Sequence, residues 1–280
     1  MEVKIMEQKM FYTIKAELRA IEEKEGVKIL LAVESGSRAW GFHSPGSDYD
    51  VRFLYVRPRE HYLRLDRTRD VIEWKLDAVL DINGWDFNKT LRLLHTSNPT
   101  LFEWLSSPFV YLRDPFVNQL EELAQSYFLA KPGLFHYLHM AEGNNREFLK
   151  GERVKLKKYF YVLRPILACR HILAKGTPPP MLFDTLVERY LAPEVRPYVE
   201  ELLTRKKTTF EMGEGPRVQA LNDYIDFSLH ELKAAVEALP FACKKEWADL
   251  NSLFLRRWSV FNETGEKEAP LGSSRYGYGM

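Results

Sequence analysis

The chain has 280 residues, 45% of them hydrophobic and 28% charged, and a net charge of +1. This excludes the disordered and fibrous classes and leaves a soluble globular protein long enough for one large domain or two smaller ones, two being expected. The neutral balance also excludes a global pull toward nucleic acid, so an anionic partner needs a local basic patch.

The N-terminus, MEVKIMEQKMFYTIKAELRAIEEKEG, is charged at helical spacing and has no apolar signal-peptide core. No uncharged apolar stretch approaches the length that spans a bilayer, so a cytoplasmic location is expected. Phe11, Ile14, Leu18 and Ile21 predict a helix over residues 8–25, which Gly26 closes. Val27 to Val33 is a buried strand by its almost wholly apolar run. Tyr49 to Val56, Val71 to Trp74 and Leu76 to Ile82 read as further strands. A helix is predicted over residues 83–95, with Asn83 as its cap and Asp86 three residues on. Another starts at Asn98, with Pro99 in its first position. Beyond Pro115 helix follows helix, punctuated at Lys131, Thr177 and Gly213. The composition shift at Arg113-Asp114-Pro115 sets the expected boundary: a catalytic domain over 1–114, a helical domain over 115–265 and a loose tail over 266–280. The Arg and Tyr residues of that tail can fold back over a site. Cys169 and Cys243 sit in amphipathic patterns and read as reduced core thiols.

The acidic residues of the first half carry the chemistry. In an extended segment Asp48, Asp50, Arg52 and Leu54 share one face and Tyr49, Val51, Phe53 and Tyr55 the other. Two carboxylates held on one face repel unless a cation lies between them, and a hard cation such as Mg²⁺ prefers such oxygens. A third carboxylate from a neighbouring strand completes a two-metal phosphoryl-transfer site. Asp81, at the expected strand end before Asn83-Gly84, is preferred over Asp77 on the same face. Gly36 and Ser37 follow the buried strand and precede Arg38. Their turn offers backbone amides and a hydroxyl to a phosphate, with glycine allowing close approach.

The order of these features resembles the DNA polymerase β-like nucleotidyltransferase superfamily: buried strand, Gly-Ser, ten-residue spacer, Asp-x-Asp, then an apolar-acidic-apolar strand. SGSRAWGFHSPGSDYDVRFLYV, DINGWDFNKTLRLLHTSNPTLFEWLSSPFVY and KKYFYVLRPILACRHI together look like its RlaP/YcgL-like branch, an RNA repair pathway DNA polymerase β family. The resemblance implies an α+β fold, a mixed-sheet catalytic domain followed by an all-helical one. It also implies Mg²⁺ (two ions, with Mn²⁺ as a substitute) and a nucleoside triphosphate such as ATP as substrate. Gly36 and Ser37 would contact the triphosphate, Asp48 and Asp50 would ligate both metals, and Asp81 would complete the site near the acceptor hydroxyl.

In the helical half a basic run, Asn144 to Lys175, places Lys157, Tyr161 and Arg164 on one side of a helix, with Lys158 beside them. With Arg38, that side is expected to bind substrate, whereas Tyr159, Phe160, Val162, Leu163, Ile166 and Leu167 are core. Asn144 and Asn145 read as capping residues, and Trp85 and Trp104 as packing residues. Trp40 is a candidate base-stacking residue, and His43 lies in the loop before the aspartates.

The expected activity is transfer of a nucleoside monophosphate to an acceptor hydroxyl with release of pyrophosphate, an RNA 3′ end being the favoured acceptor and a protein or small molecule the alternatives. A non-catalytic nucleotide- or RNA-binding module is the rival from another class. A metal-dependent nuclease is a third reading, since clustered acids also serve hydrolysis, but it has no need of the Gly-Ser turn.

Overall fold

A computed structural model describes residues 2–263 other than Arg67, Ala78 and Phe241. The expected tail over 266–280 lies outside the described residues. The chain begins with α1 (Glu2–Glu25), β1 (Lys28–Glu34), α2 (Gly36–Ala39), β2 (Tyr49–Val56) and α3 (Arg59–Tyr62). It continues through β3 (Val71–Leu76), β4 (Leu80–Asp86), α4 (Phe87–His95), α5 (Pro99–Leu105) and β5 (Val110–Arg113). The second half holds α6 (Val117–Gln125), α7 (Ala130–Phe148), β6 (Arg153–Lys155), α8 (Lys158–Lys175) and α9 (Phe183–Tyr190). It ends with α10 (Arg196–Thr208), β7 (Glu214–Pro216), α11 (Gln219–Ala238) and α12 (Ala248–Glu263).

The first five strands form one mixed sheet in the order β3-β4-β2-β1-β5. Strand β2 runs antiparallel to β1 and parallel to β4. Period-two alternation decides what each face buries. Val51, Phe53 and Tyr55 join Ile14, Leu18 and Ile21 of α1 on one face. Leu54 and Val56 pack on the other against Phe87, Leu91, Leu101, Val117 and Leu120 of α4, α5 and α6, and against Leu250 and Leu253 of α12. Helices α6 and α12 thus lie beyond residue 114 yet pack on the sheet. A second core is built from α7 to α11 around Tyr159, Phe160, Leu163 and Leu167, and Phe42 inserts into it from the loop after α2. Phe42 stacks on Phe160 at 5.0 Å between ring centroids, which ties that loop to the helical half.

Three sequence expectations change. Asn83 and Gly84 lie inside β4, paired with Arg52 and Phe53, and are not a turn. A side chain on Gly84 would overlap the Phe53 ring, so the glycine serves close packing of two strands. The following helix starts at Phe87, capped by Asp86, which accepts the Asn88 N–H at 2.7 Å. The helical half is not free of strand, since β6 and β7 form a two-stranded ribbon. Of the two thiols only Cys169 is buried; Cys243 is exposed. The cap at Asn98 forms as the sequence predicts, accepting the Thr100 N–H at 3.0 Å. Among the described residues no helix is long and apolar enough to cross a membrane.

Candidate active site

Strand β1 ends at Glu34 and β2 begins at Tyr49, so the Gly36 turn and the aspartates meet at one end of the sheet. The parallel pairing of β2 with β4 sets Asp50 directly opposite Asp81. Alternation then places Asp50, Arg52 and Asp81 on the face opposite α1. The Arg52 Nη2 donates to Asp50 Oδ1 at 3.1 Å and to Asp81 Oδ2 at 2.7 Å. Its Nη1 donates to the main-chain oxygens of Val51 at 3.1 Å and Asp81 at 3.0 Å. Burial raises the Asp50 carboxyl above its ordinary range, Arg52 pulls it back, and the charges of Asp48 and Asp81 raise it again. Asp50 and Asp81 thus share one guanidinium, with Asp48 close enough to repel Asp50.

Gly36 has a φ of +59° and abuts Asp50 so closely that a Cβ would overlap the Asp50 carboxylate. Both facts demand glycine. The Ser37 hydroxyl is buried and donates to Ser47 Oγ at 3.4 Å, and Ser44 Oγ lies 3.1 Å from Ser47 Oγ. Arg38 holds the loop before the aspartates: its Nε donates to Asp48 O at 3.0 Å and its Nη2 to Ser47 O at 2.8 Å. Its guanidinium stacks on Tyr49 at 3.7 Å. Asp48 stands one residue before β2 and is exposed. Asp77 lies in the β3–β4 turn, where its carboxylate accepts the Val79 and Leu80 N–H groups at 2.8 Å each. The register thus brings Asp81, not Asp77, to Asp50.

Glu34 is a buried acid that sequence reasoning passed over. Its Oε1 accepts the Asp50 N–H at 2.9 Å and its Oε2 accepts the Tyr111 hydroxyl. Burial pushes its pKa up to about 7. Beside it a cavity of about 410 Å³ opens, lined by Phe11, Arg38, His43, Tyr49, Phe109 and Tyr111.

From the helical half, Tyr161 reaches the cluster. Its ring meets Trp40 edge-on at 5.4 Å, and burial with the charges of Asp50 and Asp48 pushes its hydroxyl up to about 12. Lys158 lies over the Phe148 ring at 3.9 Å and the Tyr161 ring at 4.9 Å, and donates to Asn144 Oδ1 at 3.1 Å. Lys157 stands at the start of α8 and pairs with Glu211 at 3.0 Å.

Arg164 corrects the sequence expectation. It is 1% exposed, pairs with Glu103 at 2.8 Å and lies over Trp40 at 4.6 Å. A guanidinium enclosed this way joins α8 to α5 and backs Trp40 instead of facing a ligand. Asn145 lies within α7 and donates to Asp226 at 3.0 Å, so it does not cap a helix. Trp85 and Trp104 stack on each other at 3.8 Å as packing residues.

A divalent cation fits the chemistry of this cluster: Asp50 and Asp81 already converge on one cationic nitrogen, and Asp48 is exposed two residues from Asp50. As they stand, no three His, Cys, Asp or Glu side chains among the described residues converge on one point, and Arg52 bridges Asp50 and Asp81.

Residues 10–256 match the RNA repair pathway DNA polymerase beta family. The uncharacterized protein YcgL of Bacillus subtilis (strain 168) is 45% identical over 241 residues, covering 85% of this chain and 93% of that protein. A solved nucleotidyltransferase-like protein from Exiguobacterium sibiricum 255-15 aligns over 92% of this chain and 96% of its own, with 14% identity and a TM-score of 0.31. With the family match spanning most of the sequence, the chain belongs to the RNA repair pathway DNA polymerase beta family.

Proposed function

We propose that this protein moves a nucleoside monophosphate from a nucleoside triphosphate to an acceptor hydroxyl, and that the acceptor is an RNA 3′ end. The observation that carries the reading is the placement of Asp50 and Asp81 in register on parallel strands, with the Gly36 turn pressed against Asp50. In the transfer, the acceptor oxygen bonds to the α-phosphorus, the bond from that phosphorus to the β-phosphate bridging oxygen breaks, pyrophosphate leaves and the hydroxyl proton passes to water. Mg²⁺ held by Asp48, Asp50 and Asp81 would lower the hydroxyl pKa and neutralise the phosphates.

The chain's own residues supply position. The Gly36 turn lets a phosphate approach the backbone, and Ser37 offers a hydroxyl. Arg38 fixes the Ser47-Asp48 loop, and Lys157 adds positive charge from the helical half. Tyr161, half-buried beside the aspartates, keeps its proton and offers a donor. The RNA acceptor is supported by the family's description and by the basic run around α8. With few phosphate contacts, acceptor binding should be only moderately salt-sensitive.

The test is label transfer from each α-labelled nucleoside triphosphate, with Mg²⁺, to RNA and to soluble protein, alongside Asp50→Asn. Label on RNA with the wild type alone establishes the reading; equal transfer by the variant overturns it. A second reading, a nucleotide-binding module without turnover, is favoured by Arg52, which already neutralises the acidic pair. Triphosphate binding with no label on any acceptor would select it.

A further inference from the structure

The run Leu203-Thr204-Arg205-Lys206-Lys207 near the end of α10 reads as a solvated basic face, and Arg205 and Lys207 are exposed as that reading requires. Lys206 is not. It is 4% exposed, and its ammonium has no hydrogen-bond or ion-pair partner among the described residues; its Nζ lies 5.8 Å from the Phe42 ring centroid. Burying a lysine whose ammonium makes no hydrogen bond or ion pair within the fold costs stability and leaves that group to meet an anionic ligand.

Its surroundings show which ligand. Burial and the like charge of Lys157 lower its pKa, and Asp48 and Glu211 oppose them, so Lys206 stands within electrostatic reach of all three side chains. The segment after α10 closes on the loop that carries Ser44, Ser47 and Asp48: the Gly46 N–H donates to Phe210 O at 3.3 Å. Phe42, the ring beside Lys206, leads into that same loop from the Gly36 turn. Two ammonium groups and a set of clustered hydroxyls therefore flank the carboxylates on the side of the helical half. Such a combination suits a highly charged phosphate chain.

We propose that Lys206 is an anion-binding residue that receives the terminal phosphates of the nucleoside triphosphate, together with Lys157 and the hydroxyls of Ser44 and Ser47. This rests on the reading of the site as a nucleotidyltransferase, and it divides the hold on the leaving pyrophosphate between the helical half and the loop before β2. The phosphates of an acceptor strand carry the same chemistry, so the test separates the two sources.

Calorimetric titration of the wild type, Lys206→Met and Lys206→Gln would use tripolyphosphate, a nucleoside triphosphate and a single-stranded oligoribonucleotide with hydroxyl ends. Both variants should lose about tenfold or more in affinity for tripolyphosphate and the nucleoside triphosphate, the worth of a charge-assisted contact. They should bind the oligonucleotide as the wild type does. Lys206→Met should also melt at a higher temperature, which a merely structural lysine would not produce. Unchanged tripolyphosphate affinity in both variants overturns the assignment, as does a loss confined to the oligonucleotide. A wild type that binds no triphosphate overturns the underlying reading instead.

Discussion

Gly36 and Asp50 share a space that admits no side chain on the glycine: a Cβ there would overlap the carboxylate that stands opposite Asp81. The positive φ of Gly36, +59°, adds backbone strain to any substitution. Gly36→Ala should therefore displace Asp50, abolish transfer and destabilise the fold by roughly 1–3 kcal/mol. Activity assays beside urea denaturation check both parts. Wild-type turnover in this variant would show that the turn tolerates the displacement.

Arg52 is the cation that the acidic pair now holds. Replacing it with glutamine leaves two half-buried carboxylates facing each other, at a cost of roughly 1–3 kcal/mol in the absence of divalent metal. Mg²⁺ should then restore more stability to Arg52→Gln than it adds to the wild type. Melting curves with EDTA and with Mg²⁺ measure the difference; equal metal responses would mean that the pair does not attract the ion.

For Arg164 the expected phenotype is structural. Its partner Glu103 also accepts the Tyr137 hydroxyl at 2.8 Å, so Arg164→Met strands a buried acid. The loss should be about 3–5 kcal/mol. Triphosphate affinity of the remaining folded protein should change little. A selective loss of affinity at unchanged stability would return Arg164 to the binding surface.

Glu34 gives the fold a pH dependence whose sign follows from burial. Its carboxyl keeps a proton up to about pH 7 when folded, against an ordinary value of 4.5. The folded state thus binds the extra proton between these values, and stability falls as pH rises through that window, the full contribution being present only below it. Glu34→Gln should flatten this part of the profile, which urea midpoints measured at intervals across the window will show. A slope identical to the wild type would assign the titration elsewhere.

Much of the site was legible in the sequence because it is local. Strand β2 has the bounds its residues predict, and alternation puts Asp50 and Arg52 on one face. What stayed hidden depends on contacts distant in sequence. Asn83-Gly84 has the composition of a turn, yet parallel pairing with β2 and the Phe53 ring make it strand. The expected strand over Leu76–Ile82 spans a hairpin because its turn, closed by Asp77, lacks glycine and proline. Lys206 was illegible for the same reason: a basic run on a helix does not reveal that one of its members meets Phe42. The buried Arg164 shows the converse, since α8 places it near the site while Glu103 of α5 takes its charge.

The return of α12 to the sheet also bears on the order in which the protein is made. Leu250 and Leu253 complete the hydrophobic layer formed by Phe87, Leu120 and the β2 residues Leu54 and Val56. On the ribosome, the strands that carry the aspartates emerge first and α4 to α6 follow to cover part of this face, but the layer stays incomplete until Leu250 and Leu253 have been made. A nascent product that stops short of α12 therefore carries the acidic residues on a sheet whose apolar layer is still partly open to water.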